Sequence, residues 1–200
     1  MPGFWNLIDK LTFGQVSYVE SLVMERDLRV PLPEPPQADE FEWRLATPDD
    51  FQQDNEPLRL NSGRRRYAVE LLESGATCHI ATFNGEMVYL MWCVTGRLKV
   101  GAYDLPLGDG WVDMNRARTA DAFRRRGLHQ NGIKRACEHS LDQGCRRTIA
   151  LIDVDNEASL RNSLRMGTQV VGKVWRVKLF NRWRIRHVPR SLRDRLANPA

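Results

Sequence analysis

The amino-acid sequence predicts an α/β (α+β) domain in which helices cover the faces of a sheet with mixed strand directions. Three observations favour this class: the predicted element order β-α-α-β-β-β-α-β-α-β, a hairpin signal at Asn84-Gly85, and the absence of internal repeats. Hydrophobic residues at 42% and charged residues at 28% are close to globular averages. We therefore expect one packed domain, or at most one and a half, from 200 residues.

The first forty residues are predicted to form a separate N-terminal unit, residues 1–40. Apolar residues between positions 4 and 28 recur at roughly helical spacing, which predicts a helix there. Four prolines then fall within positions 31–36, a density that indicates an extended linker and a domain boundary. The main domain is predicted at residues 41–188, followed by a basic C-terminal tail at residues 189–200.

Within the main domain, local patterns predict the elements in order. A short strand (FEWRLA) is followed by Thr47-Pro48, an N-cap and a first helical position, and a helix is expected from about 64 to 73. Runs rich in β-formers flank Asn84-Gly85, the pair favoured in two-residue hairpin turns. The remaining segments are strands at 110–120, 147–154 and 169–180, and helices at 128–143 and 157–166.

Charge, cysteines and apolar runs narrow the class of protein. Residues 173–195 carry nine Lys/Arg against one Asp, which fits either a surface for phosphates, an anionic membrane or nucleic acid, or a solvated last strand with a basic end. We prefer the second interpretation, and without a groove-filling motif nucleic-acid binding is disfavoured. The four cysteines lack metal-ligand spacing, and the longest apolar run, 87–94, is too short for a bilayer. These features, and an N-terminus without signal-peptide character, predict a cytoplasmic protein without a bound metal.

Residues 123–134 (FRRRGLHQNGIK) place three arginines directly before a predicted helix. Cations are disfavoured at a helix N-terminus, where the macrodipole is positive. The first turn also offers backbone N–H groups without intrahelical partners, from about Arg126 to His129, and Gly127 allows a close approach. A polyphosphate would be held there by N–H groups, dipole and guanidinium groups together. From this stretch alone, a solvated basic turn is the alternative.

The spacing Arg124-x-x-Gly127-x-His129 resembles the [Gln/Arg]-x-x-Gly-x-[Gly/Ala] signature of the GCN5-related N-acetyltransferases (GNAT), in which this turn cradles the pyrophosphate of acetyl-CoA. A second similarity follows the strand IALIDV, where the family has Asn-x-x-Ser/Ala and a short helix; its positions here are Asn156, Ser159, Arg165 and Gly167. The resemblance covers about 41–179. It implies a mixed, mostly antiparallel twisted sheet with a splayed parallel strand pair, and transfer of an acetyl group from acetyl-CoA, or another acyl-CoA, to an amine.

The resemblance also implies roles for individual residues. Backbone N–H groups near Arg118 and Thr119 are expected to contact the acyl carbonyl and pantetheine, beside a bulge that separates this strand from IALIDV. His129, which replaces a small residue, is expected either to open the turn slightly or to donate its imidazole toward phosphate. Asn156 also has the simpler explanation of a helix N-cap. The expected cofactor-binding residues are Arg118, Thr119, Arg124, Arg125, Arg126, Gly127, Leu128, His129, Asn156 and Ser159.

The catalytic residues expected from the same resemblance are Asp113 and Ser163. Asp113 lies on the strand before the arginine turn and is our candidate general base; the alternative is an exposed strand aspartate or a turn cap. Ser163 stands where many family members have a tyrosine general acid, and a serine hydroxyl is a poor proton donor.

The acceptor, the acyl chain length and the oligomeric state, a dimer included, are left open by the sequence. Arg116 and Arg118 are expected on one face of their strand. An anionic acceptor follows if that face lines the acceptor cleft, and nothing follows if it is solvated; we prefer the second interpretation. The alternative functions are a catalytically inactive acyl-CoA-binding regulatory protein, and peripheral contact with an anionic membrane through the N-terminal segment and basic tail.

Overall fold

The computed structural model describes residues 16–100, 103–180 and 183–198. Ten strands are present in these ranges: β1 Val16–Asp27, β2 Glu42–Leu45, β3 Thr77–Phe83, β4 Glu86–Thr95, β5 Arg97–Val100, β6 Tyr103–Pro106, β7 Trp111–Thr119, β8 Arg147–Asp153, β9 Gln169–Leu179 and β10 Trp183–His187. Eight of them form one sheet in the order β10-β9-β1-β8-β7-β4-β3-β2, while β5 and β6 form a separate two-stranded sheet. Among the described strands of the main sheet, β7 and β8 form the one parallel pair, which confirms the predicted mixed, mostly antiparallel architecture.

The same described ranges contain four α-helices: α1 Ser62–Glu73, α2 Leu128–Asp142, α3 Glu157–Arg165 and α4 Arg190–Ala197. The turn after Thr47 is a short 3-10 helix, Pro48–Phe51, and another spans Asp121–Phe123. The predicted hairpin joins β3 to β4, and Asn84 and Gly85 have the positive φ angles, 51° and 81°, that a two-residue type I′ turn requires.

Helices cover both faces of the sheet, as predicted. On one face α2 packs on β7, where Cys137 Sγ lies 3.9 Å from Met114 Sδ. On the other face the Phe51 ring stacks on Trp92 of β4 at 5.9 Å, and α1 packs beside it. The neighbouring residue Met91 lies on the α2 face with Tyr89, whose hydroxyl it contacts. Alternation along β4 therefore buries both faces of the central strands.

The predicted helix over positions 4–28 is wrong for Val16–Asp27, which forms β1; positions 4–15 lie outside the described residues. β1 lies inside the sheet, antiparallel to both β8 and β9. Because Met24 and Arg26 are buried on one face and Val23 and Glu25 on the other, its apolar residues do not alternate cleanly and resemble a helical pattern. The segment is therefore part of the main sheet, although the boundaries at residues 40 and 188 stay a prediction.

The segment predicted as a basic tail forms helix α4, which is packed on the protein. Leu192 and Leu196 are buried in a second hydrophobic cluster with Val23, Trp111 and Ile149. Arg195 at the end of α4 donates to the carboxylate of Glu25 on β1 at 2.8 and 2.9 Å. The sequence pattern missed this helix, and it also missed the β5–β6 sheet, which belongs to the same cluster.

Strands β7 and β8 separate after three pairs of residues: Trp111–Arg147, Val112–Thr148 and Asp113–Ile149. On the other side of β7, its register against β4 shifts by one residue between Leu90 and Trp92, and Arg116 in this bulge has a φ of 58°. Beyond the last pair, the Asn115 side-chain oxygen accepts a hydrogen bond from Leu151 N at 3.3 Å. The splay and the bulge expected for this strand pair are thus both present.

Candidate functional site

The splay opens into a cleft of about 1310 Å³. Residues from β7, β8, α3 and the N-terminal end of α2 line it. Of the twelve predicted site residues, the structure brings ten to this cleft: Arg118, Thr119, Arg124, Arg125, Gly127, Leu128, His129, Asn156, Ser159 and Ser163. Asp113 and Arg126 do not line it.

The turn before α2 presents open backbone N–H groups to the cleft. Arg125 and Gly127 have left-handed φ angles of 66° and 74°. The first backbone hydrogen bond that closes onto the turn is Asn131 N to Gly127 O at 3.0 Å, and within the described residues the N–H groups of 125–130 have no hydrogen-bond partner. Consecutive free N–H groups at a helix start, with the positive end of the dipole behind them, form a site for an anion.

The proline-rich segment packs against this turn. Asn131 Nδ2 donates to Pro36 O at 2.8 Å and to Gly127 O at 3.1 Å. A Cβ on residue 127 would lie 3.2 Å from Pro36 Cβ, in addition to the strain of a positive φ. Lys134 on α2 also pairs with Glu34 at 2.8 Å. The segment expected as a linker thus restricts residue 127 to glycine.

Arginines dominate the charge of the cleft: among the described residues, its lining contains ten arginines and two carboxylates, Asp121 and Asp153. Arg124 pairs with Asp121 at 2.6 Å, and both side chains are largely exposed. The Arg126 side chain does not share this arrangement: its guanidinium lies over the Phe123 ring at 5.4 Å and 3.6 Å from Glu40. The Arg126 guanidinium is therefore not among the groups that line the cleft, whereas its backbone N–H belongs to the open turn, and the predicted binding role of this residue stays a prediction.

His129 is held by a buried tyrosine. Its Nδ1 lies 3.2 Å from the Tyr89 hydroxyl, and burial lowers the pKa of the imidazole below its ordinary value. The ring is therefore neutral at pH 7. One of its nitrogens is already engaged, so His129 brings no positive charge to a phosphate in the cleft.

Helix α3 lines the opposite side of the cleft. Its N-cap is Asn156, whose Oδ1 accepts a hydrogen bond from Ser159 N at 3.2 Å, as the simpler explanation of this residue predicted. The Ser163 and Thr168 hydroxyls lie 2.8 Å apart and are hydrogen-bonded to each other. The hydroxyl expected at the general-acid position therefore has a neighbouring hydroxyl as its partner.

Asp113 has no exposed surface and forms the last residue pair, with Ile149, at the closed end of the splay. Its carboxylate therefore has no direct access to a molecule in the cleft. The carboxylate that the sequence did not indicate is Asp153, at the end of β8, which accepts a hydrogen bond from Ser21 Oγ at 2.6 Å and lines the cleft. No local signal could have identified this pair, because its members are 132 positions apart.

The described residues contain neither a metal-binding cluster nor a membrane-spanning helix. In the described parts of the chain, no three His, Cys, Asp or Glu side chains gather closely enough to bind a metal ion. Among the same residues, no helix combines the length and apolar character needed to cross a membrane.

No protein-family model matches the sequence, and no curated protein matches it either. Solved structures do match the fold. An acetyltransferase from the GNAT family of Colwellia psychrerythraea is 14% identical with a TM-score of 0.58, and a GCN5-related N-acetyltransferase-like protein from Streptococcus suis is 13% identical with a TM-score of 0.56. Each match covers 86% of this chain, which spans only 61% and 66% of those two proteins.

A smaller match covers the aminoglycoside N-acetyltransferase AAC(6')-Iy, whose structure contains the bisubstrate analogue CoA-S-monomethyl-acetylneamine. The identity is 15% and the TM-score 0.52, over 66% of this chain and 92% of that one. The TM-scores of these matches establish a shared fold, but sequence identities this low do not establish a shared reaction. The open turn, the bulge, the splayed parallel pair and these structural matches lead to one conclusion: the chain has the fold of the GCN5-related N-acetyltransferase superfamily.

Proposed function

We propose that the protein is an acyl-CoA-dependent N-acyltransferase that moves an acetyl group from acetyl-CoA to an amine. The observation that carries the proposal is the set of open N–H groups at residues 125–130, placed at the mouth of the β7–β8 splay. A diphosphate matches such a turn, because N–H donors and the helix dipole act on it together. The match to AAC(6')-Iy, crystallised with a CoA-containing analogue, supports the same assignment.

In this proposal the described residues hold different parts of acetyl-CoA. The diphosphate binds the N–H groups of the turn, with the exposed guanidinium groups of Arg124 and Arg125 adding charge-assisted hydrogen bonds. The pantetheine arm follows β7 at Arg118 and Thr119, whose backbone is no longer paired with β8. Asn156 and Ser159 contact it from the α3 side.

The reaction forms a bond between the amine nitrogen and the acyl carbon and breaks the carbon–sulfur bond. The amine loses one proton to a base, and the CoA thiolate gains one. We assign direct proton removal to Asp153, which lines the cleft; the fully buried Asp113 could take part only through intervening water. We assign protonation of the thiolate to Ser163, whose hydroxyl lines the cleft and is a weak donor that water can replace.

Calorimetric titration of acetyl-CoA into the protein tests the proposal. Gly127→Glu should abolish binding, because it places a carboxylate and a Cβ in the turn. Gly144→Glu is the matched control at the other end of α2: its φ of 87° imposes similar backbone strain, but open space surrounds it. The proposal fails if wild type does not bind acetyl-CoA, or if both variants bind it equally well.

A second candidate is an acyl-CoA-binding protein without catalysis. The mutual hydrogen bond of Ser163 and Thr168 and the burial of Asp113 favour it, since both weaken the expected proton-transfer groups. Turnover separates the candidates: release of CoA thiol from acetyl-CoA in a mixed-amine screen, lost in Asp153→Asn, supports the transferase. Tight binding with no thiol release from any amine supports the binding protein.

A further inference from the structure

Four arginines gather on the face of β7 opposite α2; we call them the acceptor-side arginines (Arg59, Arg64, Arg116 and Arg118). The Arg116 guanidinium lies over the Tyr67 ring of α1 at 5.7 Å. Arg118 Nη1 donates to Leu58 O at 2.7 Å, and Arg64 Nη1 donates to Arg59 O at 2.8 Å. All four side chains line the cleft. The sequence marks only two of them as sharing a face, because the other two come from the loop before α1 and from α1 itself.

Among the residues that the structure describes, ion pairs neutralise the side chains of Arg59, Arg64 and Arg118 only in part. Arg59 pairs with Asp121 at 2.9 Å, but Asp121 also pairs with Arg124 at 2.6 Å. Within the described ranges, Arg64 and Arg118 take part in no ion pair. Burial lowers the pKa of Arg118, and repulsion from Arg64 and Arg59 lowers it further. Arg59, Arg64 and Arg118 thus hold like charges together with one shared carboxylate, an arrangement typical of a site that binds an anion.

Arg116 and Arg118 lie apart from the open turn at residues 125–130, whereas Arg59 is linked to Arg124 beside that turn through their shared partner Asp121. Arg116 and Arg118 contact α1 and the loop before it, whereas the turn begins α2, which packs on the other face. Asp153, on β8 across the splay, brings a carboxylate to the same cleft. A cleft with a positive side and one carboxylate complements a molecule that carries both an anion and an ammonium group.

We propose that the acceptor-side arginines bind an anionic group of the acceptor, so that the acceptor is an amine that also carries a carboxylate or a phosphate. This inference rests on the proposed function, because it assigns acyl-CoA to the open turn and leaves the arginines for the second substrate. The other source of the same chemistry is CoA itself, whose phosphates could occupy both places.

Inorganic phosphate titrated into the CoA-saturated protein distinguishes these sources. The variants are Arg59→Asn with Arg64→Ala in one chain, and Arg66→Ala as a matched control, since Arg66 is exposed on the same helix, pairs with Glu70 and does not line the cleft. We expect phosphate to bind wild type and Arg66→Ala equally, and about tenfold or more weakly to the double variant, the effect of losing charge-assisted hydrogen bonds.

Thiol release with matched amines extends the test to turnover. O-phosphoethanolamine should exceed ethanolamine, or glycine should exceed glycinamide, by about tenfold in kcat/KM, and the double variant should remove that preference. Phosphate that binds the free protein but not the CoA-saturated one would assign the arginines to CoA and overturn the inference. Equal phosphate affinity in the double variant would overturn it too. CoA binding is measured before phosphate is added. If CoA does not bind at all, that result contradicts the proposed function itself and not the inference about the arginines.

Discussion

The Tyr89 hydroxyl occupies the space that a Cβ on Gly132 would need. Tyr89 is fully buried on β4, burial raises the pKa of its phenol well above the ordinary value, and its hydroxyl lies 3.2 Å from His129 Nδ1. The phenol therefore stays protonated, and its contact with His129 holds the first turn of α2 against the sheet. This contact sets how closely the helix that begins at the open turn approaches the sheet.

Gly132→Ala should destabilise the fold by about 1–3 kcal/mol, the usual cost of overpacking, even though alanine favours helices by about 1 kcal/mol. The free energy of unfolding in urea measures the change. Tyr89→Leu in the same chain should reduce the penalty, because the smaller side chain leaves room for the added methyl group.

Gly63→Ala in α1 is the control, because the nearest atom to its added Cβ is Asn61 Oδ1 at 3.7 Å. That variant should be as stable as wild type or slightly more so. Equal stability of Gly132→Ala and Gly63→Ala would show that Tyr89 does not limit the position of α2.

Leu196→Ala tests whether α4 belongs to the packed core. Leu196 has no exposed surface, so its truncation should cost about 2–5 kcal/mol of unfolding free energy. Leu164→Ala on α3, where the side chain is 53% exposed, should change stability by less than about 0.5 kcal/mol. A small effect at Leu196 would mean that the basic C-terminal segment does not pack as described.

His79 should make the protein less stable below neutral pH. Burial, followed by the charges of His139 and Arg135, lowers its pKa from 6.5 to about 4. Between pH 6.5 and 4 the unfolded chain binds a proton that the folded chain does not, so stability falls as the pH is lowered through this range.

From pH 7 to pH 5 the loss from His79 amounts to about 2 kcal/mol. His79→Gln should remove that loss, so that urea unfolding of the variant depends less on pH than wild type. His187→Gln, exposed on β10, is the control and should keep the wild-type dependence. An unchanged pH dependence in His79→Gln would contradict the depressed pKa.

Ser163→Ala should lower the rate of thiol release by less than tenfold with the best amine of the screen. A serine hydroxyl hydrogen-bonded to Thr168 is a poor proton donor, whereas a well-matched general acid contributes about 10²–10⁴-fold. Acetyl-CoA affinity, measured by calorimetry, should be unchanged. A loss of a hundredfold or more in rate alone would make Ser163 the general acid after all.

Sequence patterns predicted correctly those features that depend on residues close together in the chain. The Asn84-Gly85 turn, the Asn156 cap and the helix that begins after Gly127 all depend on residues within four positions of one another, and each lies where the pattern indicated. The two glycine-containing motifs also identified most of the cleft, since the turn and α3 both face it.

The errors concern contacts between distant segments. β1 has the composition of a strand or a buried helix alike, and its partners, β8 and β9, lie more than one hundred residues later. Asp113 is buried because β8 lies beside it, and the Asp153 carboxylate is held by a hydrogen bond from Ser21 on β1. Arg59 and Arg64 reach the site because the segment that carries them contacts β7, through Leu58 with Arg118 and through Tyr67 with Arg116. Pairings of this kind leave no periodicity in a single sequence.

The position of β1 between β8 and β9 has a consequence for biosynthesis. About 120 residues separate the end of β1 from the start of β8, so at the usual rate of translation a ribosome needs roughly 6–24 s to reach the first of the partner strands. During that interval β1 has neither neighbour, and both of its edges can pair with other chains. Nascent chains of this protein should therefore depend on chaperones for longer than those of a protein whose early strands pair with each other.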